Sequence, residues 1–335
     1  MPHSSRHTPF ACRICGAEAS CPEYTVREMM YGTRETFRYV QCAQCGCLQI
    51  AEIPGDLARH YPADYYSQLP RDEPAAAQGL KGRLVRWYCR SAALRPGSAW
   101  AAAVRSRLPI PADFDEFGHY LVEARLQSAN ERILDVGCGS SPHRLAAFAR
   151  CGFTAVEGVD PFIPADTRYH GIPVYRKTID QVDGRFGLIM FHHSLEHVPD
   201  PVATLKTAAR LIRPGGTCLV RIPVTDTYFW NTFGVDWAEL DAPRHLYLMA
   251  PRTMDTLAHQ TGFRLRKTTF DSQGWEIAAS QQYQADIPLR DPRSFANGGT
   301  SQMFTADQLK QFEVQAQALN SAADAGRACF YLEKV

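Results

Sequence analysis

The chain has 335 residues, 45% of them hydrophobic and 21% charged, with a formal net charge of +1. This is ordinary globular composition and excludes whole-chain disorder. The length allows two domains and a core that needs no disulfide staples. A near-neutral balance gives no global argument for a nucleic-acid or membrane partner, and no apolar run approaches the roughly 18 residues of a membrane span. Residues 1–10 are polar and His-rich, without an apolar core. No signal peptide is expected, and the expected location is the cytoplasm.

Six of the 11 cysteines fall within the first 47 residues. An odd total without an export signal argues against a disulfide framework. Four of the six form matched pairs, Cys12-Arg-Ile-Cys15-Gly16 and Cys42-Ala-Gln-Cys45-Gly46, with 26 residues between them. Two residues between thiolates let both reach one ion from a tight turn, and the following glycine relieves crowding where the chain bends back. Four thiolates suit Zn²⁺ in a closed, structural tetrahedron. Cys12, Cys15, Cys42 and Cys45 are the expected ligands, and Cys21 and Cys47 are read as spare buried thiols. Tyr24–Val26 and Phe37–Val40 are short β-prone runs between the pairs. Residues 1–66 are thus read as a zinc-binding unit. Its last stretch, 61–66, is aromatic and expected to pack onto a neighbour.

Residues 67–118 read as a basic helical linker. Between positions 74 and 112 stand seven basic residues (Lys81, Arg83, Arg86, Arg90, Arg95, Arg105 and Arg107) and no acidic one. Over 80–94, Leu80, Leu84, Trp87, Tyr88 and Leu94 share a helical face, and Arg83, Arg86 and Arg90 share the adjacent one. The helix either rests on its own protein or offers 81–107 to an anionic partner, such as a nucleotide diphosphate, a lipid headgroup or RNA.

From 119 onward strands and helices alternate. Strands are expected at 132–137, 154–160, 173–177, 186–193 and 217–222, with a sixth near 264–270. The clearest helix runs from Pro201 to Ile212, capped by Asp200 and ended by Pro214-Gly215-Gly216. The series predicts a doubly wound, mostly parallel α/β sheet with helices on both faces. Ligands in such sheets sit beyond the carboxyl ends of the strands.

The first of these strands runs into Asp135-Val-Gly137-Cys138-Gly139-Ser140-Ser141-Pro142. Gly137 and Gly139 allow a tight turn and close backbone approach to a ligand. Pro142 stands where a dinucleotide site needs a third glycine; the expectation is that Ser141 caps the next helix and Pro142 starts it. Asp160, at the end of the second strand, is placed to accept both hydroxyls of a ribose. Together these residues describe a nucleoside site without a bound diphosphate.

The run Leu134-Asp-Val-Gly-Cys-Gly139, then Gly158-Val-Asp160, Ser194-Leu-Glu-His-Val198 and Arg213-Pro-Gly-Gly216, resembles class I S-adenosylmethionine-dependent methyltransferases. The resemblance covers about 119–270, and Ala328–Glu333 is similar to the last, antiparallel strand of that seven-stranded, Rossmann-like fold. It implies S-adenosylmethionine as cofactor. Gly137 and Gly139 would cradle its methionine part with Asp135 alongside, Asp160 would hold the ribose, and Thr178 and Ile179 would flank adenine. The chain departs from the family at Gly187, where many members carry Asp, and at Ser140-Ser141, where a further glycine is common.

The fourth strand carries no Asn/Asp-Pro-Pro-aromatic run, the pattern of methylation at nitrogen. It ends in Phe191-His192-His193-Ser194-Leu195-Glu196-His197. Histidines suit deprotonation of a hydroxyl. Consecutive strand residues point to opposite faces, so His192 and His193 cannot both face the cleft. His193, His197 and His245 are the candidate bases, with Arg244 read as a site for an anionic group and Glu196 or Tyr247 as fallbacks. The stretches HHSLEHVPDP and DAPRHLYL, with an N-terminal cysteine unit, resemble methyltransferases of small-molecule, sugar and surface-polysaccharide biosynthesis. The acceptor is then a hydroxyl or activated carbon of a small molecule or a sugar-nucleotide or glycan precursor. The alternatives are RNA ribose methylation, using the zinc unit and basic linker, and a non-catalytic cofactor-binding assembly protein. The 119–335 domain carries an insertion at about 271–326, read as a cap over the substrate mouth or as a packing or dimerisation element; the oligomeric state is left open.

Overall fold

The computed structural model describes residues 6–62, 74–297 and 303–335. Most of the aromatic stretch at 61–66, the start of the linker and residues 298–302 of the 271–326 insertion lie outside them.

Strands β1 (Arg6–Ala11), β2 (Glu18–Arg27), β3 (Thr36–Gln41) and β4 (Leu48–Ile50) form an antiparallel meander. The two Cys-x-x-Cys turns join β1 to β2 and β3 to β4. Helices α1 (Gly79–Leu94), α2 (Ala99–Arg105) and α3 (Ala112–Glu123) follow, and α1 matches the expected amphipathic helix. Its basic face is partly spent inside the protein: the Arg90 guanidinium donates twice to the Gly152 carbonyl, at 2.6 and 3.1 Å. Its apolar face is only partly covered. Leu80 is 83% exposed, and Trp100 of α2, 70% exposed, packs edge-on against Trp87.

The second sheet contains β5 (Ile133–Val136), β6 (Val156–Val159), β7 (Thr167–Tyr169), β8 (Ile172–Tyr175), β9 (Phe186–His192), β10 (Ile212–Pro223), β12 (Phe263–Phe270) and β13 (Arg327–Lys334). Helices α4 (His143–Arg150), α5 (Pro201–Leu211), α6 (Tyr228–Phe233), α7 (Pro251–Gln260), α8 (Gly274–Gln284) and α9 (Ala306–Ser321) lie between them, with the two-residue strand β11 (Tyr247–Leu248) before α7. The spatial order is β12-β13-β10-β9-β5-β6-β8-β7. β13 runs antiparallel to both neighbours, and β5, β6, β8, β9 and β10 are parallel. This is the Rossmann-like methyltransferase sheet, with eight strands rather than the expected seven. The extra one, β7, folds back on β8 through the His170-Gly171 turn.

The central strands are largely apolar because both faces are covered. Leu188, Met190 and Leu219 face α1, α3 and α4, while Ile189, Phe191 and Val220 face α5 and α7. Asp200 caps α5 as expected, its Oδ1 accepting from the Ala203 amide at 2.9 Å. Ser141 does not cap α4: Pro142 holds that position and the helix starts at His143. Proline has no N–H, so it costs nothing at a helix entry.

The N-terminal strands do not stand apart. β4 pairs with β11 and extends the meander to five strands. The Ile50 amide donates to the Leu246 carbonyl at 3.0 Å. Thr253 donates to the Cys45 carbonyl and Thr225 to the Gly46 carbonyl, at 2.7 and 3.2 Å. The segment 271–326 bridges the same region: the Leu289 amide bonds the Met29 carbonyl, and the Ala238 amide bonds Ser280 Oγ.

Candidate active site and metal centre

Everything expected at the site lies at the carboxyl ends of the parallel strands. β5 delivers Asp135 and the glycine turn. Gly137 has φ of +74°, and a Cβ there would stand 2.5 Å from Ser194 Cβ. The turn therefore lies directly against the 193–194 backbone, and only a glycine fits both constraints. Ser194 fixes this approach by donating to the Val136 carbonyl at 2.7 Å.

Asp160 is 9% exposed at the end of β6. Its Oδ2 accepts from the Gly139 amide at 2.9 Å and its Oδ1 from the Phe162 amide at 2.8 Å. Each oxygen keeps a further lone pair. The Asp160 amide donates to the Tyr175 carbonyl, so the end of β8, which leads to Thr178 and Ile179, lies beside it. Ile179 is buried, and exposed Thr178 closes a short capping box with Gln181. Asp135 is fully buried, and neither carboxylate oxygen has a hydrogen-bond partner among the described residues. Arg144 Nη2 stands 3.7 Å away. Burial pushes the Asp135 carboxyl up to about 6, against the pull of Arg144.

The histidines separate as strand alternation requires. His192 is buried on the far face against Tyr120, with ring centroids 4.8 Å apart. His193, His197 and His245 come together around Glu196, which no local pattern marks as their centre. His193 Nδ1 is 3.4 Å and His245 Nε2 4.0 Å from Glu196 Oε1, and the His197 and His245 rings meet edge to face at 4.7 Å. The His193 side chain keeps 22% of its exposure; those of His245 and Glu196 keep 5% and none. Burial, reinforced by Arg221 and Arg327, holds His193 well below the usual imidazole range. His197 is pushed down to about 3, first by burial and then by His245.

Arg244 does not offer a free charge to an acceptor. It is fully buried, with Nη2 2.7 Å from Glu28 and 2.6 Å from Asp241, and Nη1 3.2 Å from the His60 carbonyl. A buried guanidinium is paired or very costly, and here two carboxylates neutralise it. The sequence reading missed Glu28, Tyr39 and Tyr61. Tyr39 donates to the His245 carbonyl at 2.8 Å, and the Tyr61 hydroxyl stands 3.0 Å from His197 Nδ1. Their partners lie more than a hundred positions away, and no local motif marks such contacts.

The four expected cysteines form the second cluster, with one Sγ from each within 4.8 Å of the others. Cys12–Cys45 and Cys15–Cys42 are each 3.7 Å apart. Four sulfurs bonded to one Zn²⁺ at about 2.3 Å would be ~3.8 Å apart along the edges of a tetrahedron. The Ile14 and Cys15 amides point at Cys12 Sγ, the Cys45 amide points at Cys42 Sγ, and Gln49 Nε2 donates to Cys12 Sγ at 2.8 Å. Donors aimed at sulfur favour the thiolate. Cys21 and Cys47 are buried outside the cluster.

Residues 110–268 match the family model described as a methyltransferase domain. This stretch, a little under half of the chain, is similar to a methyltransferase domain. A ubiquinone biosynthesis O-methyltransferase of Xanthomonas oryzae pv. oryzae is 36% identical over 107 residues, 28% of this chain and 44% of that protein. The protein of the same name from Psychrobacter arcticus is 29% identical over 163 residues, 42% of this chain and 62% of that one. The match thus spans less than two thirds of these curated relatives. Among solved structures, the cyclopropane synthase MmaA2 of Mycobacterium tuberculosis overlaps with 17% identity and a TM-score of 0.40, over 66% of this chain and 84% of that one. The strand order itself carries the fold. Among the described residues, no helix is long and apolar enough to cross a membrane.

Proposed function

We propose that the protein transfers a methyl group from S-adenosylmethionine to a hydroxyl oxygen of a small-molecule acceptor, a sugar or glycan precursor included. The observation that carries this is the pairing of a buried Asp135, whose oxygens accept no hydrogen bond and whose nearest cation is Arg144 at 3.7 Å, with a glycine turn that has no room for a side chain. A buried carboxylate without hydrogen bonds is costly, and a cationic ligand reduces the cost. Asp135 would face the ammonium of the methionine part, the turn at 137–139 would lie along it, Asp160 would take the ribose hydroxyls, and Thr178 and Ile179 would border adenine. The cofactor supplies an electrophilic methyl on a sulfonium. His193, partly exposed and beside Ser194, which packs on the glycine turn, takes the proton of the acceptor hydroxyl. Oxygen is preferred to carbon because the relatives that match are named O-methyltransferases. The closed tetrathiolate would hold one structural Zn²⁺, far from water and without catalytic chemistry of its own.

Incubation with methyl-labelled cofactor and fractionated metabolites, followed by product analysis, tests the reading. Label in a hydroxylated small molecule is the expected outcome. Label in RNA, or none in any fraction despite bound cofactor, contradicts it.

A further inference from the structure

We propose that Glu196, His197 and His245 form a second metal site, for a divalent transition ion, distinct from the four cysteines. One ligand atom from each of the three lies within 4.8 Å of those of the other two. Glu196 is the centre of the argument. It is fully buried, and neither carboxylate oxygen has a hydrogen-bond partner among the described residues. Buried charges pair, or they coordinate metals. The nearby arginines are engaged elsewhere: Arg221 with Asp271 at 2.6 Å, Arg327 with Glu276 and Asp271 at 3.1 Å each, and Arg244 with Glu28 and Asp241. The nearest cation-forming groups left are imidazoles: His193 Nδ1 at 3.4 Å and His245 Nε2 at 4.0 Å, the latter also 3.9 Å from Asp241 Oδ2.

The two imidazoles are held as metal-binding histidines are held. His245 Nδ1 is 2.7 Å from the Glu239 carbonyl, and His197 Nδ1 is 2.9 Å from the Arg244 carbonyl and 3.0 Å from the Tyr61 hydroxyl. A carbonyl can only accept, so each Nδ1 carries the proton and each Nε2 keeps its lone pair. Fixing the tautomer through a second-shell carbonyl is the usual support of a ligating histidine. Arg244 and Tyr39 lock the 241–245 backbone that carries His245. Ligand atoms about 2.1 Å from an ion stand roughly 3–3.5 Å apart, so the side chains need to close by up to about 1.8 Å.

Two imidazoles and a carboxylate suit Mn²⁺, Fe²⁺ or Zn²⁺, and three protein ligands leave coordination positions open. An acceptor hydroxyl bound there would lose its proton more readily to His193. This last step rests on the proposed methyl transfer; the metal site itself does not.

The test is a Mn²⁺ titration of the full chain followed by electron paramagnetic resonance, because Mn²⁺ prefers oxygen and nitrogen ligands to thiolates. The expected result is one bound equivalent in the wild type. Glu196→Gln and, separately, His245→Gln should each weaken it at least tenfold, while zinc content stays at one equivalent per chain as the readout of a folded protein. No saturable Mn²⁺ binding at millimolar concentration, or equal binding by both variants, overturns the inference. Calorimetry with S-adenosylhomocysteine separates the two proposals. Cofactor bound without Mn²⁺ sinks only the metal site; Mn²⁺ bound without cofactor sinks only the methyl-transfer reading.

Discussion

The two halves of the cleft are built in different ways. The cofactor half is three short loops, after β5, β6 and β8, whose contacts are made within about 60 positions of one another. Gly139 reaches Asp160 and Ser194 reaches Val136. The proposed acceptor half is assembled across the whole chain: His245 is held by Tyr39, and Arg244 by Glu28 and the His60 carbonyl. The first half needs only the sheet. The second also needs the N-terminal meander, and through it the cysteine cluster. The cluster therefore supports the proposed acceptor wall through the meander.

This difference can be broken in order of expected effect. The largest follows removal of the proposed zinc, by chelation or by Cys12→Ser. Structural zinc can contribute about 10 kcal/mol or more to a small unit. Losing it should unpair β4 from β11 and release His245. Turnover should fall to background while affinity for S-adenosylhomocysteine stays within about tenfold, as read by metal analysis and calorimetry on the same sample. Equal loss of both would show that the halves are one unit.

His193→Ala should lower turnover by roughly 10²–10⁴-fold, the usual contribution of a general base, with cofactor affinity unchanged within a few-fold. Full turnover in this variant, with chemistry rate-limiting, would remove His193 from the mechanism.

Arg244→Met leaves Glu28 and Asp241 buried without their counter-ion. Breaking a buried ion pair in this way costs about 3–5 kcal/mol. Urea denaturation should show that loss, and a loss under 1 kcal/mol would mean the 241–245 segment is held by other contacts.

Asp135 gives the smallest effect and a pH signature. Its carboxyl lies above the ordinary value because it is buried. Ionising it therefore costs the unliganded fold stability as pH rises from about 4 through about 6. Asp135→Asn should raise the stability of the unliganded protein at pH 8 by about 1–3 kcal/mol and should weaken cofactor binding. In the wild type, cofactor affinity should fall as pH drops through about 6 and Asp135 takes a proton; the variant should lose that dependence. An unchanged pH profile would take Asp135 out of the cofactor site.

The same division decides what was legible in the sequence. Strand periodicity, Asp200 as a cap, the glycine turn and the cysteine spacing are local signals, and the structure brings those residues to the expected places. Arg244 shows the opposite case. Beside His245 it reads as an anion site, but its partner Glu28 is 216 positions away, and burial converts it into a structural charge. Glu196 was a fallback in the sequence because its importance lies in having no partner, and only packing reveals that. The strand β7 was missed because it lies at the sheet edge, short and mostly exposed, without the apolar run that marks its neighbours. Leu80 shares the apolar face of α1, yet it stands in solvent, because period alone does not say whether a face finds a partner.

The most direct test of the account is calorimetry of S-adenosylhomocysteine with the wild type and with Asp160→Ala. The account predicts saturable binding to one site per chain. Binding should be about 5- to 150-fold weaker in the variant, the 1–3 kcal/mol of a lost charge-assisted hydrogen bond. No heat at millimolar concentration in the wild type, or equal affinity in the two proteins, would contradict it.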